Sequence, residues 1–150
     1  MAAFATLSIN DGQTTPVAHS FTPGPKILLP DGSQRFSWYD LSVNSGVFLG
    51  ANRLDLDVRM PRSQGNRASD APLSVAYRFT LPTMETLSNN TASGIDPQPT
   101  KAYDTTVWVK IVRNGRSGQQ PVKDALAFMR NFSSLATLTD TVLTYAPPTS

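Results

Sequence analysis

Cysteine is missing altogether from the 150 residues, and histidine is reduced to one, His19. The first absence excludes disulfide staples, thiolate metal sites and a cysteine nucleophile, so packing and hydrogen bonds must hold the chain. The second leaves a Ser-His-Asp arrangement with one candidate base. That base sits among Val17, Ala18 and Phe21 on a predicted strand, and no nucleophile-elbow pattern serves it. A structural histidine is expected there. Charge is sparse as well, 16% against 39% hydrophobic residues, a balance too apolar for disorder and too lightly charged for a self-sufficient helical bundle. No run approaches the roughly 20 consecutive apolar residues of a membrane span, and no basic segment leads into an apolar one at the N-terminus. A soluble chain with no membrane partner and no export signal is predicted. A Gly-rich phosphate loop between strand and helix is also lacking. Asp55 and Asp57 superficially suggest a metal pair or glycosidase carboxylates, but two carboxylates at that spacing on a strand read as a solvated face. No enzyme activity, cofactor or metal is expected.

What is present is turn chemistry and period-two alternation, in a length that suits one domain, 1–150. Phe4 to Ile9 leads into Asn10-Asp11-Gly12, read as a tight hairpin turn, with a return strand from about Thr14 to Thr22 that stops at Pro23. Residues 1–23 are thus predicted as an N-terminal hairpin. Asp31-Gly32 separates a second pair, Lys26–Leu29 and Gln34–Tyr39, and Val43–Leu49 is read as one more short strand. Three stronger strands follow. Leu54, Leu56, Val58 and Met60 oppose Arg53, Asp55, Asp57 and Arg59. Leu73, Val75, Tyr77, Phe79 and Leu81 oppose Ser74, Ala76, Arg78 and Thr80. Tyr103, Thr105, Val107, Val109 and Ile111 oppose Asp104, Thr106, Trp108, Lys110 and Val112. The sheet is placed over 26–113, interrupted by a turn at Gly65-Asn66 and by a long polar loop over 82–100. Past Pro121, Val122, Ala125, Leu126, Met129 and Phe132 recur at helical spacing, and Leu138–Leu143 offers a short second helix, giving a helical region over 120–145 before a tail. The fold class is α+β.

Such a helix, about 14 residues and roughly 20 Å long, cannot cover a sheet of five or six strands spaced about 4.8 Å apart. The uncovered apolar face predicts an intertwined homodimer, with Val122, Leu126, Met129 and Phe132 at the interface. The competing arrangement is a monomeric sandwich closed by the N-terminal hairpin.

The order of these segments, and stretches within them, resemble the coat proteins of single-stranded RNA bacteriophages, the levivirus group. Leu7-Ser8-Ile9-Asn10-Asp11-Gly12 with Thr15-Pro16-Val17-Ala18-His19-Ser20-Phe21 is similar to the start of many such proteins. Pro99-Thr100-Lys101-Ala102-Tyr103-Asp104 and Phe128-Met129-Arg130-Asn131-Phe132 are similar to later segments. The resemblance covers nearly the whole chain. It implies an N-terminal β-hairpin, a five-stranded antiparallel sheet and one or two C-terminal helices interlocked with a partner's. Dimers would assemble into an icosahedral virion shell around the single-stranded RNA genome, in the cytoplasm of the bacterial host. The 82–100 loop would be the one gathered at the shell's symmetry axes.

The family's RNA site, carried over by strand, falls on the polar face already described. Its candidates are Arg53, Arg59, Ser74, Arg78, Thr80, Thr106, Trp108 and Lys110, with Asp55 and Asp57 among them. Arginine and lysine pair with phosphates, hydroxyls bond phosphate or base edges, and an exposed indole stacks on an unpaired base. The two aspartates depart from the family pattern. They are expected to pair with Arg53, Arg59 or Arg78, which favours broad packaging contacts over tight recognition of one operator hairpin. The net charge of +2 permits this partner without requiring it. The rival function is a monomeric sugar-binding β-sandwich using Trp38, Tyr39 or Trp108.

Overall fold

The computed structural model describes residues 4–61, 72–85 and 97–144. Six strands run antiparallel and pair in chain order: β1 (Leu7–Asn10), β2 (Ala18–Leu28), β3 (Gln34–Asp40), β4 (Asn52–Arg59), β5 (Leu73–Met84) and β6 (Lys101–Arg113). Two helices follow, α1 (Gln119–Ser133) and α2 (Ala136–Thr144). This is the α+β arrangement expected from the sequence. The register keeps every alternating set on its own side: Leu54 lies opposite Phe79, Asp55 opposite Arg78, and Arg78 opposite Trp108. A slip by one residue would exchange the two faces, and burial of one face forbids it.

Local chemistry departs from the expected strands in four places. Gly12 does not adopt a left-handed conformation, and the first hairpin is closed by a wider loop instead. Its closure is made by the Asp11 carboxylate, which accepts from the Val17 and Gln13 N–H groups at 2.9 and 3.2 Å. The return strand therefore begins at Ala18, not Thr14. It also does not stop at Pro23: β2 runs unbroken to Leu28, its register slipping between Pro23 and Lys26. β1 starts at Leu7, opposite Phe21, and pairs with nothing on β2 past that residue, so from there one side of β2 is an edge, where a missing proline N–H is tolerated. The third departure is Val43–Leu49, which forms two 3-10 turns, Asn44–Gly46 and Phe48–Gly50. Positive φ at Asn44 (49°) and Gly46 (75°) is incompatible with a strand. The fourth is β5, which continues through Pro82 to Met84. The Asp31-Gly32 turn forms as expected, with Gly32 at φ 79° and its N–H donating to the Leu29 carbonyl. Gly65-Asn66, most of the 82–100 loop and the tail from Ala146 lie outside the described residues.

The core gathers on one side of the sheet. Phe21, Trp38 and Leu54 are buried, with Leu7, Ile9, Phe36, Leu56, Tyr77 and Phe79 packed around them. The N-terminal segment supplies part of the cover: Phe4 meets Phe36 and Trp38 edge-on, and the Trp38 indole N–H donates to the Ala5 carbonyl at 2.9 Å. That cover stops short of β6. Val107 is 51% and Tyr103 61% exposed, and an open apolar hollow of about 360 Å³ lies over Leu56, Tyr77 and Phe79. The hairpin thus does not close a sandwich. Helix α1 meets this face where the Tyr77 hydroxyl approaches the Met129 sulfur at 3.4 Å, yet none of its described side chains is buried. Phe128, absent from the expected stripe, is 72% exposed beside Leu126 and Phe132.

Candidate nucleic-acid interface

On the opposite side, cross-strand pairing arranges the polar side chains in rows. One row runs Thr22, Tyr39, Arg53, Thr80, Thr106. The next runs Ser37, Asp55, Arg78, Trp108, and a third runs Arg35, Asp57, Ala76, Lys110. Side chains directly opposite one another lie about 5 Å apart at Cβ, close enough for charged forks to meet.

Asp55 is the hub of this face. It is 2% exposed and accepts from Arg53 Nε, from Arg78 Nη2 at 2.9 Å and from Ser37 Oγ at 2.7 Å. Burial by itself raises the carboxyl's pKa. The bonds from Arg53, Arg78 and Ser37 outweigh that and hold it at about 2, so the group is charged throughout the physiological range. Asp57 takes a bidentate bond from Arg35, both contacts at 2.7 Å. The expected pairing of the aspartates with arginine is therefore present, but Arg59 has no part in holding Asp57. Arg59 instead lies near the Asp31 carboxyl and contributes to lowering its pKa, after the larger effect of the Ser33 hydrogen bonds. Held this way, the acidic groups fix guanidinium forks and present little free negative charge outward.

Trp108 stands at the outer end of the hub row, 71% exposed. With Arg35, Asp57, Arg78 and Thr106 it borders a depression of about 300 Å³. The structure thus brings together Arg78, Thr106 and Trp108 in one hollow, with Arg53 and Thr80 in the adjoining row and Lys110 on its far side. Arg59 and Ser74 pair with each other nearer the end of the sheet, outside the hollow's lining. Arg35 and Ser37 were missed in the sequence, although the alternation of Gln34–Tyr39 put them on this face; their partners lie 22 and 18 residues away. Of the sugar-binding candidates, Trp38 is 5% exposed with its N–H engaged. Tyr39 is seated on Gly24, where an added Cβ would come within 2.4 Å of its ring. Trp108 is the one of the three that stands well exposed.

At a distance from these rows, His19 lies between two carboxylates. Its Nδ1 is 2.7 Å from Asp40 Oδ2 and its Nε2 is 3.4 Å from Asp11 Oδ2. The Asp40 bond, ahead of the Asp11 contact, raises the imidazole pKa against the lowering effect of burial. Through these contacts the histidine ties the hairpin loop to the end of β3.

Comparison with known proteins agrees with this architecture. A protein-family model described as "Levivirus coat protein" matches residues 2–148. Among solved structures, a virus-like particle of bacteriophage ESE058 aligns with a TM-score of 0.82 at 24% identity, over 99% of this chain and 100% of that one. A virus-like particle of bacteriophage NT-214 aligns at 0.81 and 23% identity over the same shares. The bacteriophage GA protein capsid aligns at 0.64 and 12% identity, over 98% of each chain. A search of curated protein sequences returned no match.

Proposed function

From the chain's membership of the levivirus coat protein family, and hence its role as a structural subunit of a viral capsid, we propose how it performs that role. Two copies pair through the uncovered apolar face and α1. The dimers close into an icosahedral shell in the bacterial cytoplasm, with the polar sheet face turned inward onto single-stranded RNA. The sugar-binding alternative has no support from the family or the site.

The pairing follows from what each copy leaves wet. Val107 and Tyr103 on the sheet and Leu126, Phe128 and Phe132 on the helix are all exposed, and each can cover the other's counterpart across a two-fold axis. Burial of such side chains contributes about 25 cal/mol per Å², which favours dimers once both surfaces meet.

One observation carries the RNA reading: a tryptophan 71% exposed, flanked by cations whose positions are fixed by buried or half-buried carboxylates. Arg35, Arg53, Arg59, Arg78 and Lys110 outnumber Asp55, Asp57 and Asp104 on this face, so its excess charge is positive. An isolated surface of this kind would bind RNA weakly, but repetition around a closed shell concentrates it on an enclosed polyanion. Because Arg53 and Arg78 are already committed to Asp55, their remaining donors suit phosphates along many sequences better than one base edge.

Expressed alone, the protein is expected to elute as a particle far larger than a dimer and to carry host RNA. Trp108→Ala should leave particles intact while weakening binding of a single-stranded oligoribonucleotide by about tenfold, from a stacking loss of about 1–3 kcal/mol. Unchanged affinity would remove Trp108 from the site. Recovery of only small, RNA-free species would overturn the whole reading.

A further inference from the structure

Phe48 is the least accounted-for aromatic on the polar side of the sheet. It is 66% exposed on the second 3-10 turn, yet its position is fixed. Its ring lies 5.0 Å from that of Tyr39, tilted by 42°, and Tyr39 rests on the bare backbone of Gly24. The turn is braced from beneath, where Asn44 Nδ2 donates to the Gly50 carbonyl at 2.7 Å and the Gly50 N–H donates to Val47 at 2.9 Å. A ring resting on a neighbour in this way has less freedom to lose when a partner arrives, which lowers the cost of ordering it in a complex.

Beside Phe48 is a second depression of about 210 Å³, lined also by Leu49, Arg53, Thr80, Lys101 and Asp104. It abuts the Trp108 hollow through two contacts: Arg53 is bound to Asp55, and Thr80 is paired with Thr106. Lys101 holds Asp104 at 2.8 Å in a pair of which both members are about one-third exposed. A phosphate can compete for an ammonium so placed, since such pairs are held weakly in water. β3 and β6 are three strand spacings apart, about 14 Å, a distance that a single strand covers in a few nucleotides.

We propose that Phe48 is a second base-stacking position, taking one unpaired base of single-stranded RNA while Arg53 and Lys101 meet the adjoining phosphates. The proposal rests on the reading of this face as the RNA-bearing one. A single strand would then lie across the sheet from Trp108 to Phe48, anchored by an aromatic at each end with Arg78 and Arg53 between. Leu41 and Leu49, also exposed at this corner, make a neighbouring copy of the chain the competing occupant.

The test compares the wild type with Phe48→Ala, Phe48→Tyr and Trp108→Ala, measuring affinity for a single-stranded oligoribonucleotide and particle formation for each. Phe48→Ala should weaken RNA binding at least fivefold without loss of particles, and Phe48→Tyr should restore it, because any aromatic face stacks. Wild-type affinity in Phe48→Ala, with affinity reduced in Trp108→Ala, overturns the second position and leaves the RNA reading standing. Loss of particles with RNA affinity intact assigns the corner to subunit contact and equally overturns the proposal. Absence of RNA binding in the wild type removes the premise and the proposal together.

Discussion

The two faces of one sheet solve opposite problems with the same alternating pattern. On the apolar side the contacts are non-directional, and Phe21, Trp38 and Leu54 are buried while Val107 and Tyr103 at β6 remain wet. That face is unfinished, and anything of suitable shape and greasiness completes it. On the polar side the contacts are directional and already satisfied within the chain. No buried side-chain nitrogen or oxygen among the described residues lacks a hydrogen-bond partner, and Asp55 alone engages two arginines and a serine. The difference teaches that incompleteness and completeness both prepare for association. On the reading proposed above, the unfinished apolar face favours pairing, whereas the saturated polar face holds its cations in position for RNA.

The largest expected effect breaks the unfinished side. Met129→Asp combined with Phe132→Asp puts two charges where the proposed pairing lays α1 over apolar surface, at a cost of several kcal/mol if they are buried unpaired. Dimers should disappear at micromolar concentration by sedimentation velocity. Persistence of soluble dimers would show that the interface lies elsewhere than α1.

A smaller effect tests the saturated side. Asp55→Asn removes the charge that holds Arg53 and Arg78, and a loss of about 2–3 kcal/mol is expected in urea unfolding at fixed protein concentration. Both arginines can partly resolvate, which keeps the loss below that of a fully buried pair. With a folded pKa of about 2 against an ordinary 3.8, the wild-type advantage is complete above the ordinary value and declines as pH falls through the lowered one. An advantage that persisted undiminished at pH 2 would contradict Asp55 as the ionised hub.

The smallest effect concerns His19, at the boundary of the two regimes. An imidazole between two carboxylates satisfies both only when it carries two N–H groups. Its folded pKa is raised, so its contribution is full below the ordinary 6.5 and is lost as pH rises through the folded value. Thermal unfolding should show the wild type losing stability over that rise while His19→Gln stays flat. Parallel curves for the two would release His19 from this role.

Much of this was legible in the residues because the signal was local. The face assignment of β4, β5 and β6 needs only a period of two, and the helix stripe only a period near 3.6. Leu138–Leu143 offers a short second helix, although its threonines leave the choice between one helix and two open, and the structure forms it as α2. Some failures trace to pairings far along the chain and others to local backbone conformation. Pro23 reads as a stop unless it is known that the pairing with β1 reaches only to Phe21. Val43–Leu49 reads as a strand until positive φ at Asn44 and Gly46 folds it into turns. Phe128 lies just off the stripe of Val122, Ala125, Leu126, Met129 and Phe132 and is exposed beside it, and the role of Arg35 depends on Asp57, which lies across a strand pairing.

The sequence by itself determined the class of fold, the two faces and the family, since these depend on residue order and on repeats of a few residues. Only the tertiary structure decided that Asp55 is the buried hub, that Arg35 and not Arg59 holds Asp57, and that Phe48 is propped by Tyr39 on Gly24. Those outcomes depend on which residues stand opposite one another across the sheet. That register is fixed by the summed burial of one whole face, a quantity no short stretch of chain contains.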